Sequence, residues 1–239
     1  MNASLFRLRC AYPKSDRLSF LGHLELIATV ERSIRRAGLP FAVSNGFARR
    51  MRIQFSSALP VGVSSLAEYF DLFLTERLDE DDALATIAAY SPAPLRPVRA
   101  RYMPSSLPAL EAWLDRSSWT LDLGPSVDAD LAEEAISALR AEGTFTYLRG
   151  TKEKTVDVSA GYVAHELEEG EGGLALRLAT LSTPSGAMRP EAFVRAAFDL
   201  VGARGSLPEY LRCVRVAQHH LDDGALVEPY ELSLPKLVD

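Results

Sequence analysis

Polar and apolar residues alternate in the first strand-like run of the chain, SLFRLRCAY, where every second residue from Phe6 onward is apolar. This alternation predicts a β-strand with one buried face. Apolar residues then recur at helical spacing through FLGHLELIATVERSIRRA, behind Ser19 as a candidate N-cap and ahead of Gly38. The second pattern predicts a helix that begins near Ser19 and ends before Gly38.

Three more strands are predicted before residue 104, with one helix among them. The dipeptide Asn45-Gly46 predicts a turn, because both residues tolerate positive φ. FARRMRIQF, EYFDLFLT and LRPVRARYM alternate as strands do, and LDEDDALATIAAY has the acidic first turn of a helix. The order β-α-β-β-α-β predicts a ferredoxin-like sandwich: a four-stranded antiparallel sheet with two helices on one face and an open face for ligands.

The second half repeats a similar order of elements. Helices are predicted over VDADLAEEAISALRAEG and PEAFVRAAFDLVG, with a hairpin turn at residues 169–173, and the predicted strands are WTLDL, FTYLRG, VDVSAGYVAHELEE, LALRLATL and LRCVRVAQHHL. We therefore expect an α+β chain of two tandem ferredoxin-like (βαββαβ) units, with antiparallel sheets and helices on one face. The predicted boundaries are 1–103 for a first domain with a basic face, 104–117 for a linker and 118–239 for the second domain.

Composition is that of a soluble globular protein. With 239 residues, 47% of them hydrophobic, the chain can fill one large core or two smaller ones. No run approaches the roughly 18 apolar residues that cross a bilayer, and arginines stand where a signal peptide needs its apolar stretch. We expect a cytoplasmic protein with no membrane partner. Cys10 and Cys213 are interpreted as small buried hydrophobic residues, not as a disulfide or a metal site.

Charge is distributed unevenly along the chain. Residues 1–60 carry ten basic and three acidic side chains, a net charge of +7, which leaves −13 for the remainder of a chain whose total is −6. This asymmetry indicates a basic face that meets an anionic partner. The alternative is a solvated face whose arginines pair with the acidic run at 79–82, or with Glu68 or Asp71 on a neighbouring strand.

The sequence has no motif for metal or cofactor chemistry. Two distant cysteines cannot supply the three that a radical-SAM iron–sulfur cluster needs, and no glycine-rich phosphate loop lies between a strand and a helix. His219 and His220 are adjacent strand residues that point to opposite faces, so we do not expect them to share a metal ion. We predict no cofactor and no metal site.

His23 is the best single candidate for acid–base catalysis, because it lies early in the predicted helix beside Ser19 and Glu25. The alternative is a histidine at a helix start that hydrogen-bonds to a backbone group. His165 lies in an alternating strand and is expected to face solvent.

Residues 20–74 resemble the start of the radical-SAM-linked protein family, a domain of unknown function (2344). The shared features are a His-Leu element at 23–24, an Arg-Arg-Ala-Gly-Leu-Pro turn at 35–40, a Gly-Phe segment at 46–47, an Ala-Leu-Pro-Val-Gly-Val loop at 58–63 and a Glu-Tyr strand at 68–69. The segments GTKEKTVDV and YLRCVRV are similar to later parts of that family. The resemblance implies a partner of the radical-SAM or cobalamin-binding type and a connection to RNA metabolism, without a known activity.

One stretch departs from the family. Residues 48–52, which read Ala-Arg-Arg-Met-Arg, stand where the family has Asn-Pro-His-Pro-Lys-like residues. The positive charge is kept, while the histidine and the prolines are lost. A catalytic role of this stretch in relatives would therefore be in doubt here.

Three functions are consistent with these features. The preferred hypothesis is a non-catalytic RNA-binding or adaptor module that presents RNA to a separate radical-SAM enzyme in RNA modification or processing. The residues expected to hold the RNA backbone are Arg32, Arg35, Arg36, Arg49, Arg50, Arg52, Lys152 and Lys154. The alternatives are a metal-independent RNA-processing endoribonuclease that uses His23, and a protein-binding adaptor whose basic face meets an acidic protein.

Overall fold

The structure is a computed structural model that describes residues 5–45, 47–170, 172–183 and 186–231. The chain has a mixed α+β fold, with mostly antiparallel β-sheet and helices. It divides into two compact units: unit 1 runs to Leu114 and resumes at Gln218, and unit 2 is Asp115–Ala217. This division differs from the predicted one, because the chain returns to unit 1 at its end and the predicted linker includes buried residues of unit 1.

Unit 1 contains the β-α-β-β-α-β order that its sequence predicts. Its elements are β1 (Phe6–Lys14), α1 (His23–Arg36), β2 (Ile53–Phe55), β3 (Ser64–Leu74), α2 (Glu80–Tyr90), β4 (Arg99–Met103), α3 (Leu110–Trp113) and, near the end of the chain, β12 (Ala225–Val227). The first four strands pair in the order β4-β1-β3-β2, and each pair is antiparallel.

The predicted second strand, FARRMRIQF, is mostly irregular. Only its last three residues form β2, where Ile53 pairs with Leu72 and Phe55 with Phe70 on β3. Gly46 of the predicted turn lies outside the described residues, as does Glu171 of the predicted hairpin turn.

Helix α1 begins at His23, four residues after the predicted N-cap. The backbone N–H of Gly22 donates to Glu25 Oε2 at 2.8 Å, which gives a partner to the backbone just before the first turn. Ser19 lies in the preceding 3₁₀ turn, where its hydroxyl donates to a backbone carbonyl, so its prediction as N-cap is wrong. At the other end, Gly38 has a φ of +68° and follows the helix as predicted.

One face of the unit 1 sheet packs against both helices. The side chains of this core come from alternate positions of β1 and β3 and from the inner faces of α1 and α2: Leu8, Cys10, Tyr12, Leu26, Val30, Ile34, Phe70, Leu72, Leu74, Ala83 and Ile87. The predicted burial of Cys10 is confirmed, and that burial, with the negative charge of Asp71, raises the pKa of its thiol. The arginines of β1 alternate with these residues and therefore lie on the opposite face.

The opposite face of the sheet is covered, so the prediction of an open ligand-binding face is wrong. A second apolar cluster lies there, formed by β1, β3, the α3 segment and the end of the chain: Ala11, Ala67, Tyr69, Leu110, Trp113, Leu114, Val227 and Tyr230. The segment predicted as a linker supplies part of this cover. Burial raises the pKa of the Tyr69 hydroxyl to about 12.

Unit 2 is also α+β. Its elements are β5 (Arg116–Gly124), α4 (Ala129–Glu142), β6 (Thr144–Arg149), β7 (Lys152–Asp157), α5 (Val158–Gly161), β8 (Tyr162–Gly170), β9 (Gly173–Thr183), β10 (Gly186–Ala187), α6 (Pro190–Leu200) and the first half of β11 (Cys213–Asp222). β9 lies between β8 and β5, and β5 neighbours β11, while β6 and β7 form a separate two-stranded sheet.

Most predicted elements of unit 2 are confirmed, including helices α4 and α6 and the β8–β9 hairpin. The predicted strand VDVSAGYVAHELEE is interrupted by α5, because Asp157 accepts a hydrogen bond from Ala160 N and caps a single helical turn. Burial of Cys213 is confirmed as well, and it raises the pKa of this thiol to about 12. None of the helices in the described part of the chain is long and apolar enough to span a membrane.

Candidate nucleic-acid interface

Three of the predicted RNA-binding arginines lie on the last turns of α1. Arg32, Arg35 and Arg36 are all exposed. Arg35 pairs with Glu31 at 3.1 Å, and its guanidinium lies 5.5 Å from the centroid of the Phe41 ring. An exposed pair four residues apart on a helix contributes little energy, so this end of α1 remains available to anions.

The other three, Arg49, Arg50 and Arg52, follow the turn that begins at Ser44. The backbone is held there by hydrogen bonds from Ser44 N to Arg50 O (2.8 Å) and from Arg50 N to Ser44 Oγ (3.1 Å). All three arginines are exposed. The guanidinium of Arg52 lies 5.0 Å from the centroid of the Phe73 ring.

Backbone pairing connects the two groups of arginines at one corner of unit 1. Phe41 pairs with the end of β3, and Phe73 N donates to Arg52 O at 3.0 Å. Phe41 packs against the helix-side core, whereas Phe73 also lies beside Arg7 on the other face. We call these six residues, three on α1 and three after Ser44, the arginine corner. Arg35 lies on the helix side of the sheet and Arg52 on the opposite side, so the six arginines do not form one surface.

The acidic run at 79–82 does not neutralise the arginine corner. Asp79 caps α2 by accepting hydrogen bonds from the backbone N–H groups of Asp81 and Asp82, and Glu80 pairs with Arg101 at 3.1 Å. Among the described residues, Arg35 is the one member of the corner with a carboxylate within 4.0 Å. The alternative of local pairing with this acidic run therefore does not hold.

Asp71 is bound by two buried arginines of β1 instead. Its carboxylate accepts hydrogen bonds from Arg7 Nε and Arg9 Nε, both at 2.7 Å, and all three side chains are almost completely buried. Arg7 also donates to Leu107 O at 2.7 Å, and Arg9 donates to Pro229 O. Two basic residues that contribute to the charge asymmetry thus stabilise the fold and are not accessible to a ligand.

His23, the predicted acid–base residue, is the first residue of α1 and is half-buried. Its ring meets Phe55 edge-on, with 6.2 Å between the ring centroids. The neighbouring carboxylate of Glu25 accepts a hydrogen bond from Gly22 N. In the described part of the chain no hydrogen-bonding group orients the His23 ring, so the geometry adds no support for catalysis by this residue.

Lys152 and Lys154 lie on β7 in unit 2, where they pair with Arg149 and Tyr147 of β6. Lys152 is exposed and Lys154 is half-buried. The two lysines belong to a different unit from the arginine corner, so they are candidates for a contact of unit 2 by itself.

A hydrogen-bonded chain in unit 2 was missed by sequence reasoning. Tyr162 Oη lies 2.7 Å from His165 Nδ1, and His165 Nε2 lies 2.9 Å from Glu133 Oε2. The His165 side chain is 8% exposed, so the expectation that it faces solvent is wrong. The hydrogen bond from His165 lowers the pKa of the Glu133 carboxyl, and burial raises the pKa of the Tyr162 hydroxyl. Both ring nitrogens of His165 have hydrogen-bond partners, and these contacts connect α4 to β8. No local sequence pattern predicts them, because Glu133 and His165 are 32 residues apart.

The remaining histidines have separate partners in unit 1. His219 Nε2 lies 3.1 Å from Glu228 Oε1, and the His220 ring packs against Trp113 with centroids 5.2 Å apart. The described residues contain no group of three or more His, Cys, Asp or Glu side chains arranged to hold a metal ion.

One protein family matches a part of the chain that includes the arginine corner and much of unit 2. The family described as "Uncharacterized protein conserved in bacteria (DUF2344)" matches residues 7–190. The chain belongs to this family. Its description names no activity, and it does not mention radical-SAM enzymes.

Three solved structures to which this DUF2344 protein is similar share 10% or 11% of their sequence with it. One chain of "Crystal Structure of a Cbf5-Nop10-Gar1 Complex" is 11% identical, with a TM-score of 0.45 over 89% of this chain and 49% of that chain. An unknown protein from Galdieria sulphuraria is 10% identical, with a TM-score of 0.27 over 90% and 100%. The regulatory subunit of aspartate kinase from Thermus thermophilus is 10% identical, with a TM-score of 0.25 over 83% and 93%.

The DUF2344 chain therefore spans about half the length of the chain in the Cbf5-Nop10-Gar1 complex. All three TM-scores are too low to support a functional argument. No match is found among curated proteins.

Proposed function

We propose that unit 1 binds RNA through the arginine corner and acts as a binding module without a reaction of its own. The observation that carries the proposal is that all six arginines are exposed and that, among the described residues, five of them have no carboxylate within 4.0 Å. The sixth, Arg35, has an exposed pair with Glu31, while Asp71 is bound by Arg7 and Arg9. Guanidinium groups bind phosphates with forked, charged donors, so a basic edge of this kind suits an anionic backbone.

The partner of such a module would be a separate radical-SAM enzyme. The support for this part of the proposal is the resemblance of residues 20–74 to radical-SAM-linked proteins. The chain has two cysteines, fewer than the three that such a cluster needs, so the cluster would belong to the partner.

We also propose that each unit is a ferredoxin-like sandwich. In unit 1 the pairing order β4-β1-β3-β2 supports this, because the split β-α-β pattern places the first strand between the fourth and the third. In unit 2 the corresponding order is β11-β5-β9-β8, with the β6–β7 hairpin inserted after α4. The edge formed by β2 and the segment before it in unit 1 is then the edge that carries half of the arginine corner.

Fluorescence anisotropy with labelled RNA across a salt series tests the RNA proposal. We expect the affinity of the wild-type protein to fall steeply between about 50 and 200 mM salt, because bound phosphates release counterions. Arg49→Ala/Arg50→Ala should weaken binding and make the slope of log K against log salt shallower by about 1 to 2. The matched control is Arg101→Ala, which removes a positive charge that already has a partner in Glu80.

Two results would contradict the proposal. The first is an absence of RNA binding by the wild-type protein even at low salt. The second is an equal effect of the control Arg101→Ala and of the single variants Arg49→Ala and Arg50→Ala, which would mean that net charge, not the corner, governs binding.

A second candidate function, docking of a protein partner, is favoured by an exposed apolar group at the start of α1. Phe20, Leu24 and Val61 are 59%, 80% and 62% exposed. Gly62 N donates to Ser19 O at 3.0 Å, so the loop around Val61 lies beside Phe20. If a protein binds here, Leu24→Asp should abolish its co-purification while RNA binding is unchanged, since Leu24 is not part of the arginine corner.

A further inference from the structure

Phe47 is the most exposed large apolar side chain in the described part of the chain, with its ring completely accessible to solvent. It begins the turn at residues 47–48, and the base of this turn is held by the Val43–Met51 bridge and by the hydrogen bond from Ser44 N to Arg50 O. Met51 is buried in the helix-side core. The base of the turn is therefore fixed, while the Phe47 ring is exposed to solvent.

The residues after Phe47 carry positive charge and an unusual backbone conformation. Arg49 and Arg50 are exposed, and within the described residues neither guanidinium has a carboxylate within 4.0 Å. Arg49 has a φ of +39°, in the left-handed region that side chains with a Cβ rarely adopt. Strained backbone of this kind is found preferentially at ligand-binding sites, where the surrounding structure holds it in place.

An exposed aromatic ring, two and three residues along the chain from arginines that have no carboxylate partner among the described residues, matches one class of ligand. Proteins that bind single-stranded nucleic acids combine basic grooves along the phosphates with aromatic side chains on which bases stack. Bases in a duplex are already stacked on each other, so a lone ring gains this contact from unpaired bases. An acidic protein could pair with Arg49 and Arg50 and cover the ring as well, so binding of a protein through Phe47 is the competing outcome of the test below.

We infer that Phe47 stacks on an unpaired base of a single-stranded RNA while Arg49 and Arg50 contact the flanking phosphates. The inference rests on the proposed RNA binding and adds the class of RNA that is bound. It differs from a purely electrostatic contact in one measurable way: the ring contributes to binding of unpaired RNA and not to binding of a duplex.

The experiment compares an unstructured, fluorescein-labelled RNA of about a dozen nucleotides with a blunt duplex of the same length. Phe47→Ala should weaken binding of the single strand by about 5- to 160-fold, which corresponds to the 1–3 kcal/mol lost with one aromatic stacking contact, and should leave duplex binding unchanged. Phe47→Trp should restore single-strand binding, with quenching of the introduced indole on addition of RNA. The salt slope of Phe47→Ala should match the wild-type slope, whereas that of Arg49→Ala/Arg50→Ala should be shallower.

The matched control is Leu148→Ala, which truncates another exposed apolar side chain, 67% accessible, in unit 2. It should leave both affinities unchanged. Because Phe47 makes no ring or cation–π contact with the described residues, Phe47→Ala should unfold at the wild-type temperature, which separates a binding effect from misfolding.

Each other outcome identifies the step that fails. If Phe47→Ala binds the single strand as tightly as the wild type while Arg49→Ala/Arg50→Ala binds it more weakly, the stacking inference is overturned and the proposed RNA binding stays in place. An equal loss for single strand and duplex also overturns it. A wild-type protein that binds neither RNA overturns both proposals, and binding of anionic lipid vesicles or of a co-purifying protein that depends on Phe47 would assign the ring to that partner instead.

Discussion

Replacing Asp71 by asparagine removes the negative charge that two buried arginines share. The carboxylate accepts hydrogen bonds from Arg7 Nε and Arg9 Nε at 2.7 Å and from Arg9 Nη2 at 2.9 Å, and exposure is 0% for Asp71, 0% for Arg9 and 2% for Arg7. Breaking a buried ion pair by removing one partner costs about 3–5 kcal/mol, because the remaining charge is left without compensation. Here two positive charges remain, so we expect Asp71→Asn to lose at least about 3 kcal/mol, a large part of the 5–15 kcal/mol typical of a domain.

Urea denaturation followed by tryptophan fluorescence measures this loss in unit 1. The chain has two tryptophans, of which Trp113 lies in unit 1 and Trp119 in unit 2. In a Trp119→Phe background the remaining indole reports on the cluster itself, because the Arg9 guanidinium lies 4.8 Å from the centroid of the Trp113 ring. Linear extrapolation of the transition then gives the free energy of unfolding with and without Asp71→Asn.

The matched control is Glu80→Gln in the same background. This change breaks the exposed pair with Arg101, whose side chains are 29% and 49% accessible, and should cost less than about 1 kcal/mol. The reasoning is refuted if Asp71→Asn also costs less than about 1 kcal/mol with an unchanged dependence on urea, since the guanidinium charges of Arg7 and Arg9 would then not need this partner.

Further predictions concern unit 2 and the thiols. Both cysteines should react with a thiol reagent near pH 8 only as fast as the protein unfolds, because both are buried and burial raises the pKa of each thiol, that of Cys213 to about 12. Equal labelling rates in native and urea-unfolded protein would contradict this. The hydrogen bond from His165 lowers the pKa of Glu133 from 4.5, so this contact stabilises the folded protein above that pH and the stabilisation is lost as the pH falls further. In thermal melts, acidification should lower the melting temperature of the wild type more than that of Glu133→Gln. Gly173→Ala would place a Cβ 2.6 Å from a backbone carbon of β5 at a φ of +115°, whereas at Gly143, with a φ of +80°, nothing lies within 4 Å. We expect a loss of about 1 kcal/mol for Gly143→Ala and a larger one for Gly173→Ala, and equal losses in urea titrations would mean that β5 yields to the new methyl group.

Elements with strong local signals were predicted correctly. Helix α2 has an acidic first turn with Asp79 as its cap, α4 ends at a glycine in the left-handed region, and α6 begins at Pro190. These signals act within one or two turns of the chain, so they are present before any tertiary contact forms. The start of α1 was predicted wrongly because two local solutions compete there, and the Gly22–Glu25 contact is the one that the helix uses.

Strand predictions were less often correct, because a segment with alternating polar and apolar residues forms a β-strand only where a neighbouring strand pairs with it. FARRMRIQF alternates well, yet only Ile53–Phe55 pairs with β3 along this run. The rest of the segment contributes a bridge at Met51 and the exposed turn that carries Phe47. The candidate site therefore lies where the periodic pattern was present and regular pairing was not.

The sequence by itself determined the helices, most strands and the order of elements, because these depend on residues a few positions apart. It also determined the concentration of arginine in residues 1–60. Long-range contacts decided which arginines are available to a ligand. Arg7 and Arg9 look like Arg50 and Arg52 in sequence, since each pair alternates with apolar residues, yet the first pair is buried on Asp71 and the second is exposed. The reason is physical: the electrostatic role of a guanidinium depends on its solvation and on the carboxylates near it, and here both are set by segments 60 to more than 200 residues away in the chain.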